Sequence, residues 1–166
     1  MKLTAFTDYS LRVLIYLAAE PGRRATIAEI AAAYAISENH LVKVVHFLAR
    51  SGWLSSIRGK GGGLELGRPP GQVPVGQVVR ATEGAPVMAE CFSDAGNACC
   101  ITPDCQLKGV FAEAARAFYA VLDRYTLEDL VANRQQIAAV LFMPNTGRAR
   151  PGRKAADAAA PQPIRP

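Results

Sequence analysis

Trp53-Leu54-Ser55-Ser56-Ile57-Arg58-Gly59-Lys60-Gly61-Gly62-Gly63-Leu64-Glu65-Leu66-Gly67-Arg68 is the stretch on which the reading of this chain turns. Residues 53–58 and 63–68 read as short strands, and Gly59-Lys60-Gly61-Gly62 stands between them. Two such runs joined by glycines predict a β-hairpin. Lys60 sits at its tip among residues without side chains, so the backbone there can approach another surface closely. A nucleotide-binding P-loop would need spaced glycines, then Lys, then Ser or Thr, and that order is absent.

The residues just before this hairpin give it meaning. Thr26-Ile27-Ala28-Glu29 has the spacing of a capping box and opens a short helix with Ile27, Ile30 and Ala31 inward. Ala35-Ile36 breaks it, and Ser37 is a candidate cap for a second helix that ends near Arg50-Ser51-Gly52. Leu41, Val44, Val45 and Leu48 form the buried stripe of that helix, leaving Glu38, Asn39, His40, Lys43 and His46 outside. Two short helices with a tight turn describe a helix-turn-helix, although an ordinary helical hairpin has the same periodicity. The β-hairpin that follows favours the former, because a hairpin directly after a helix-turn-helix is a wing. Asn39, His40 and Lys43 are then candidates for base edges, and Arg58, Lys60 and Arg68 for phosphates or the minor groove.

Upstream, Leu3, Phe6, Tyr9, Leu11, Val13, Leu14, Leu17 and Ala18 recur at roughly helical spacing until Pro21-Gly22 stops them. Asp8 and Arg12 lie four apart on this first helix, a spacing that by itself suggests a surface ion pair.

Downstream, a proline-flanked connector over residues 69–74 leads to a short helix over 75–82 and a stop at Glu83-Gly84-Ala85-Pro86. Next comes Glu90-Cys91-Phe92-Ser93-Asp94-Ala95-Gly96-Asn97-Ala98-Cys99-Cys100-Ile101-Thr102-Pro103-Asp104-Cys105, which contains all four cysteines of the chain. Ser, Asp, Gly, Asn and Pro make this a loop, better suited to gripping a metal than to packing a core. Seven residues separate Cys91 from Cys99, and five separate Cys99 from Cys105. Structural zinc usually prefers two to four residues between paired ligands. An iron–sulfur cluster is larger and accepts thiolates spread along a loop, so a cluster is the leading expectation. Zinc and a thiol–disulfide switch remain as alternatives.

Leu107, Val110, Phe111, Ala114, Phe118, Val121, Leu122 and Tyr125 predict a long amphipathic helix after the loop. Its stripe and aromatic flank are too wide for one small domain to cover, so a two-fold homodimer is expected. Thr126-Leu127-Glu128-Asp129 is a candidate cap for a last helix packed through Leu130, Val131, Ile137, Val140, Leu141 and Phe142. The chain then turns to Pro, Ala, Gly and Arg, which predicts a disordered basic tail.

The formal net charge of +5 hides a division. Residues 1–80 carry ten Lys/Arg against five Asp/Glu, residues 81–143 four against eight, and residues 144–166 five against one. A polyanion surface is therefore expected in the first half. No membrane span and no signal core are evident, so the expected location is cytoplasmic, where clustered thiols stay reduced. No acid–base or nucleophile set stands out, so no catalytic residue is assigned and the chain is not expected to be an enzyme. His40 and His46, the two histidines, both fall on the proposed recognition helix.

Taken together, several segments resemble the winged-helix iron–sulfur transcriptional repressor family, and in particular its nitric-oxide-sensing branch. They are Leu3-Thr4-Ala5-Phe6-Thr7-Asp8-Tyr9 with Leu11-Arg12, Asn39-His40-Leu41-Val42-Lys43, Arg58-Gly59-Lys60-Gly61-Gly62-Gly63, and Ile101-Thr102-Pro103-Asp104-Cys105-Gln106-Leu107-Lys108. Tyr125-Thr126-Leu127-Glu128-Asp129-Leu130 is similar too, so the resemblance spans about residues 1–142. It implies that Cys91, Cys99 and Cys105 ligate a cluster, 4Fe–4S by preference and 2Fe–2S as the alternative. It also implies that Asp8 of the partner subunit supplies an oxygen ligand, with Arg12 orienting that carboxylate. Cys100 is an extra thiol where relatives often have His. Lys108 stands where a sister branch that regulates cluster assembly carries a His ligand, which argues against that branch.

The expectation is thus a mainly α fold with a small β-hairpin wing, a winged helix-turn-helix joined to a long dimerisation helix. The expected divisions are residues 1–82 for DNA binding, 83–105 for the cluster loop, 106–143 for dimerisation and the C-terminal helix, and 144–166 for the tail. The expected partners are operator DNA, a second copy and nitric oxide as the signal, with no membrane. Rival expectations are a same-fold regulator sensing iron, cluster supply or redox state, and an electron-transfer or cluster-carrier protein.

Overall fold

The computed structural model describes residues 3–84, 89–92 and 96–142. The expected basic tail lies outside the described residues. Helix α1 (Ala5–Ala19) opens at Thr4, whose hydroxyl accepts from the Thr7 amide, and ends before Gly22, which takes the left-handed φ of 84° that the reversal requires. Helix α2 (Ile27–Tyr34) is opened by the expected capping box: Thr26 N donates to Glu29 Oε2 at 2.6 Å and Glu29 N to Thr26 Oγ1 at 3.2 Å. Ala35 ends it at φ 53°, ψ 44°, a left-handed conformation that L-residues adopt at a cost. Helix α3 (Glu38–Arg50) follows after two further residues. Ser37 occupies the cap position as expected, but its hydroxyl makes no capping bond.

The wing is the antiparallel pair β1 (Leu54–Ile57) and β2 (Gly63–Leu66), with Leu54 opposite Leu66 and Ile57 opposite Gly63. A further bridge joins Ala25 to Leu64 through bonds of 3.1 and 2.7 Å, laying the wing against the start of α2. Glycine is required at Gly62, where a Cβ would run into the Ile57 carbonyl oxygen. Helix α4 (Val75–Glu83) comes next, then two 3-10 turns at Glu90–Phe92 and Thr102–Asp104 within the cysteine loop. Helices α5 (Gln106–Leu122), α6 (Leu127–Leu130) and α7 (Arg134–Phe142) complete the described chain.

The core gathers Val13, Leu14 and Leu17 of α1, Ile30 of α2, Leu41, Val44 and Leu48 of α3, and Leu54 and Leu64 of the wing. Each fully buried aliphatic side chain contributes about 1.5–3 kcal/mol. Leu127 and Val131, at 1 % and 0 % exposure, belong to this same core. The winged unit is therefore not closed by residues 1–82 alone. Backbone bonds of 2.9 Å from Val75 N to Tyr125 O and from Leu127 N to Val73 O hold the returning segment in place. Val140, expected to pack, is 70 % exposed. Helix α5, the longest, has no buried residue at all, and neither has α7.

Candidate functional site

Helix α3 buries Leu41, Val44, Val45 and Leu48, which turns Glu38, Asn39, His40, Val42, Lys43 and His46 to solvent. The outward face is polar apart from Val42, and the wing follows α3 directly in the chain. His40 does not stand free. Its ring stacks on Tyr9 of α1 at a centroid distance of 6.2 Å, and Phe6 meets Phe47 edge-on at 5.3 Å. Helix α1 therefore touches α3 through two ring pairs, which periodicity alone does not reveal.

The wing residues divide. Arg58 and Lys60 are exposed at the tip. Arg68 is instead turned back: its Nε donates to Gly52 O at 3.1 Å and its Nη2 to Ser51 O at 3.5 Å. There it places a cation at the C-terminal end of α3, where unsatisfied carbonyls favour it. Arg24, not singled out by the sequence, braces the hairpin by donating to Glu65 Oε2 at 2.9 Å and Gly61 O at 3.0 Å.

On α1, Arg12 Nε donates to Asp8 Oδ1 at 2.9 Å, and Arg12 Nη2 lies 2.8 Å from Asp8 Oδ2. This two-point grip fixes the carboxylate plane while leaving both side chains partly exposed. The Arg12 guanidinium also lies 5.8 Å from the centroid of the Tyr34 ring. Burial pushes the Tyr34 phenol up to about 12 against the opposing pull of Arg12, so it is neutral at physiological pH.

The cysteine loop joins α4 to α5. Cys91 falls in the first 3-10 turn, Cys99 and Cys100 are exposed before the second, and Cys105 is the N-cap of α5. All four are free thiols. Asn97 and Thr102 frame the Cys99 backbone: Asn97 Oδ1 accepts from Cys99 N at 3.1 Å, and Thr102 Oγ1 donates to Cys99 O at 2.9 Å. Among the described residues, no three His, Cys, Asp or Glu side chains of the single chain converge on a metal position. Cys91, Cys99 and Cys105, expected to ligate together, are thus not gathered at one position in the single chain. Free cysteines along one loop are the donor chemistry that an iron–sulfur cluster takes.

A polar clasp ties this region to the winged unit. At the last residue of α4, Glu83 Oε1 accepts from Thr4 N at 2.7 Å, from Thr4 Oγ1 at 3.0 Å and from Thr7 Oγ1. Thr7 Oγ1 also lies 2.8 Å from Thr82 Oγ1 and is fully buried. Desolvation pushes the Glu83 carboxyl up, but the bonds from Thr7 and Thr4 outweigh it and hold the group below the usual carboxylate range. The partners are more than seventy residues apart, which is why no local pattern signals the contact.

The first turn of α1, the helix-turn-helix, the wing and the returning α6 fall within one family pattern. Residues 3–133 match the Rrf2 model, described as iron-dependent transcriptional regulator. The chain belongs to the Rrf2 family. It is 52 % identical over 144 residues to the HTH-type transcriptional regulator NsrR of Bacillus subtilis strain 168, covering 86 % of this chain and 99 % of that protein. Among solved structures, CymR, the global cysteine regulator of B. subtilis, superposes with a TM-score of 0.61 at 29 % identity, covering 80 % of this chain and 98 % of that one. IscR of T. potens shares the Rrf2 fold with a TM-score of 0.65 at 24 % identity, covering 82 % and 90 %. The expected resemblance is thus borne out, and the chain is a winged-helix transcriptional regulator of the NsrR type. No helix among the described residues is long and apolar enough to cross a membrane.

Proposed function

We propose that this Rrf2 protein is a cytoplasmic homodimeric repressor whose hold on operator DNA is set by an iron–sulfur cluster that responds to nitric oxide. The observation that carries the reading is the Glu83 clasp. It joins the helix from which the cysteine loop departs to the first turn of α1, which also carries Asp8. A change in the loop therefore has a direct route to α1, and α1 touches the recognition helix through Tyr9 and Phe6.

Cys91, Cys99 and Cys105 would hold the cluster together with Asp8 of the partner subunit, 4Fe–4S by preference and 2Fe–2S as the alternative. Cys100 would stand by as an extra thiol. When bound, the cluster supplies the reactivity toward nitric oxide, since an iron held by carboxylate is less firmly ligated than one held by thiolate. Arg12 would keep the carboxylate of Asp8 aimed, because its two-point grip leaves the group little rotational freedom. The exposed apolar residues Leu107, Val110, Val121 and Tyr125 would be covered by a second copy. In that dimer, two α3 helices would meet half-sites about one DNA turn apart. Asn39, His40 and Lys43 would face base edges, while Arg58 and Lys60 would neutralise phosphates. Arg68 would act from behind, holding the wing to the end of α3. Releasing Asp8 would then shift the dimer from its DNA-competent arrangement. A coupling of about 1–3 kcal/mol corresponds to roughly 5–150-fold in affinity, enough for derepression.

Anaerobic purification, with visible spectra and operator binding measured before and after stoichiometric nitric oxide, tests this reading. A brown protein that bleaches and releases DNA supports it. A colourless protein containing zinc, or no metal after anaerobic cluster reconstitution, overturns it. The family description as iron-dependent favours a second reading, in which iron or cluster supply is the signal. In that case the metal-free protein, and not the nitric-oxide-treated one, would show the change in operator affinity.

A further inference from the structure

We infer that Val42 is a specificity residue that reads the 5-methyl group of a thymine in the major groove. Seven large hydrophobic side chains are exposed among the described residues, and six of them lie between Ile101 and Val140. Val42 is the only one of the seven on the winged-helix half, at 51 % exposure. It stands on the outward side of α3, three residues after Asn39 and four before His46, with Lys43 beside it. Neither packing nor helix propensity accounts for it. The buried stripe is complete without it, and a β-branched residue on an exposed helix position is less favourable than Ala.

What Val42 does offer is a stiff pair of methyl groups presented in one direction at little entropic cost. Apolar groups are scarce on the base edges of the major groove, and the thymine methyl is the one that an aliphatic side chain recognises. Asn39 and Lys43 on either side carry hydrogen-bonding groups that suit adenine and guanine edges. The face thus combines polar readers with one apolar reader. This inference rests on the DNA-binding reading above and adds a base preference to it.

The test uses the cluster-loaded full chain and the duplex it enriches from a random-sequence pool. Each thymine of that duplex is replaced in turn by deoxyuridine, which removes only the methyl group. At one position per half-site, uracil should weaken the wild-type protein about fourfold, the worth of one buried methyl or methylene. Val42→Ala, which removes the contact at both half-sites, should bind the thymine duplex about sixteenfold more weakly and be indifferent to uracil at that position. Because the side chain is exposed, the variant leaves no cavity. A wild-type protein indifferent to uracil everywhere, or a Val42→Ala variant that keeps the full uracil penalty, overturns the inference. Lys60→Ala separates the two levels. If it weakens binding while the uracil scan is flat, DNA binding stands and only the role of Val42 falls. If no sequence is enriched and Lys60→Ala changes nothing, both fall.

Discussion

Arg12 grips both carboxylate oxygens of Asp8, with Nε 2.9 Å from Oδ1 and Nη2 2.8 Å from Oδ2. Exposed pairs spaced four apart on a helix contribute only about 0.3–0.5 kcal/mol, so this contact does little for stability. In the proposed cluster site its worth would lie in aiming the Asp8 carboxylate. Asp8→Ala should leave thermal stability nearly unchanged and retain a chromophore held by Cys91, Cys99 and Cys105. The lifetime of that chromophore in air, or its response to nitric oxide, should change. A variant matching wild type in both properties would remove Asp8 from the site.

Lys60 stands exposed at the wing tip, unlike Arg68, whose guanidinium is engaged with Gly52 and Ser51 carbonyls. Lys60→Ala should weaken binding to all duplexes and lower the salt slope by about one phosphate contact. A changed sequence preference at constant slope would instead make Lys60 a reader of bases.

The clasp around Glu83 predicts a pH dependence. Its carboxyl titrates below the usual range in the folded chain, because hydrogen bonds from Thr7 and Thr4 outweigh desolvation. A lowered folded pKa gives stability that is present above the unfolded value and lost as pH falls through the folded value. Glu83→Gln should therefore destabilise by about 1 kcal/mol at neutral pH, below the roughly 1.5–3 kcal/mol of bonds to a charged group because solvent screens this site. The difference from wild type in urea midpoint should shrink on acidification below the ordinary carboxylate range. A gap constant with pH would mean that the clasp works without its charge.

Leu127 lies in the winged-helix core at 1 % exposure although it follows the long helix in sequence. Leu127→Ala should cost about 2–5 kcal/mol of unfolding free energy. A urea curve superimposable on wild type would show that the segment after α5 is not part of the core.

Much of the fold is legible in the chain because its decisive signals are local. The Thr26–Glu29 box, the stripe from Leu41 to Leu48 and the glycine tip each act within a few residues, and each forms as expected. Ser37 shows the limit even there: composition marks the cap position, but its hydroxyl makes no capping bond. What stays hidden is contact between distant segments. Periodicity identifies an apolar face without saying what covers it, so Val131 reads as packed but not as part of the core it shares with Val13 and Leu41, and Leu127 reads only as part of a cap. The Arg24–Glu65 brace and the Thr7–Glu83 contact are likewise polar and long-range, and isolated charged or hydroxyl residues carry no pattern. For the candidate site, the residues are readable, while the route between them is a property of packing.

Helix α5, seventeen residues with none buried, has a final consequence. A helix of that length is only marginally stable alone in water. Its order in a lone chain would therefore depend on few anchors, among them Asp123 just past its end, held by Arg80 of α4. With a second copy laid against it, association would supply the missing support. Melting temperature and operator affinity would then both rise with protein concentration, so the number of copies in a cell would itself tune repression.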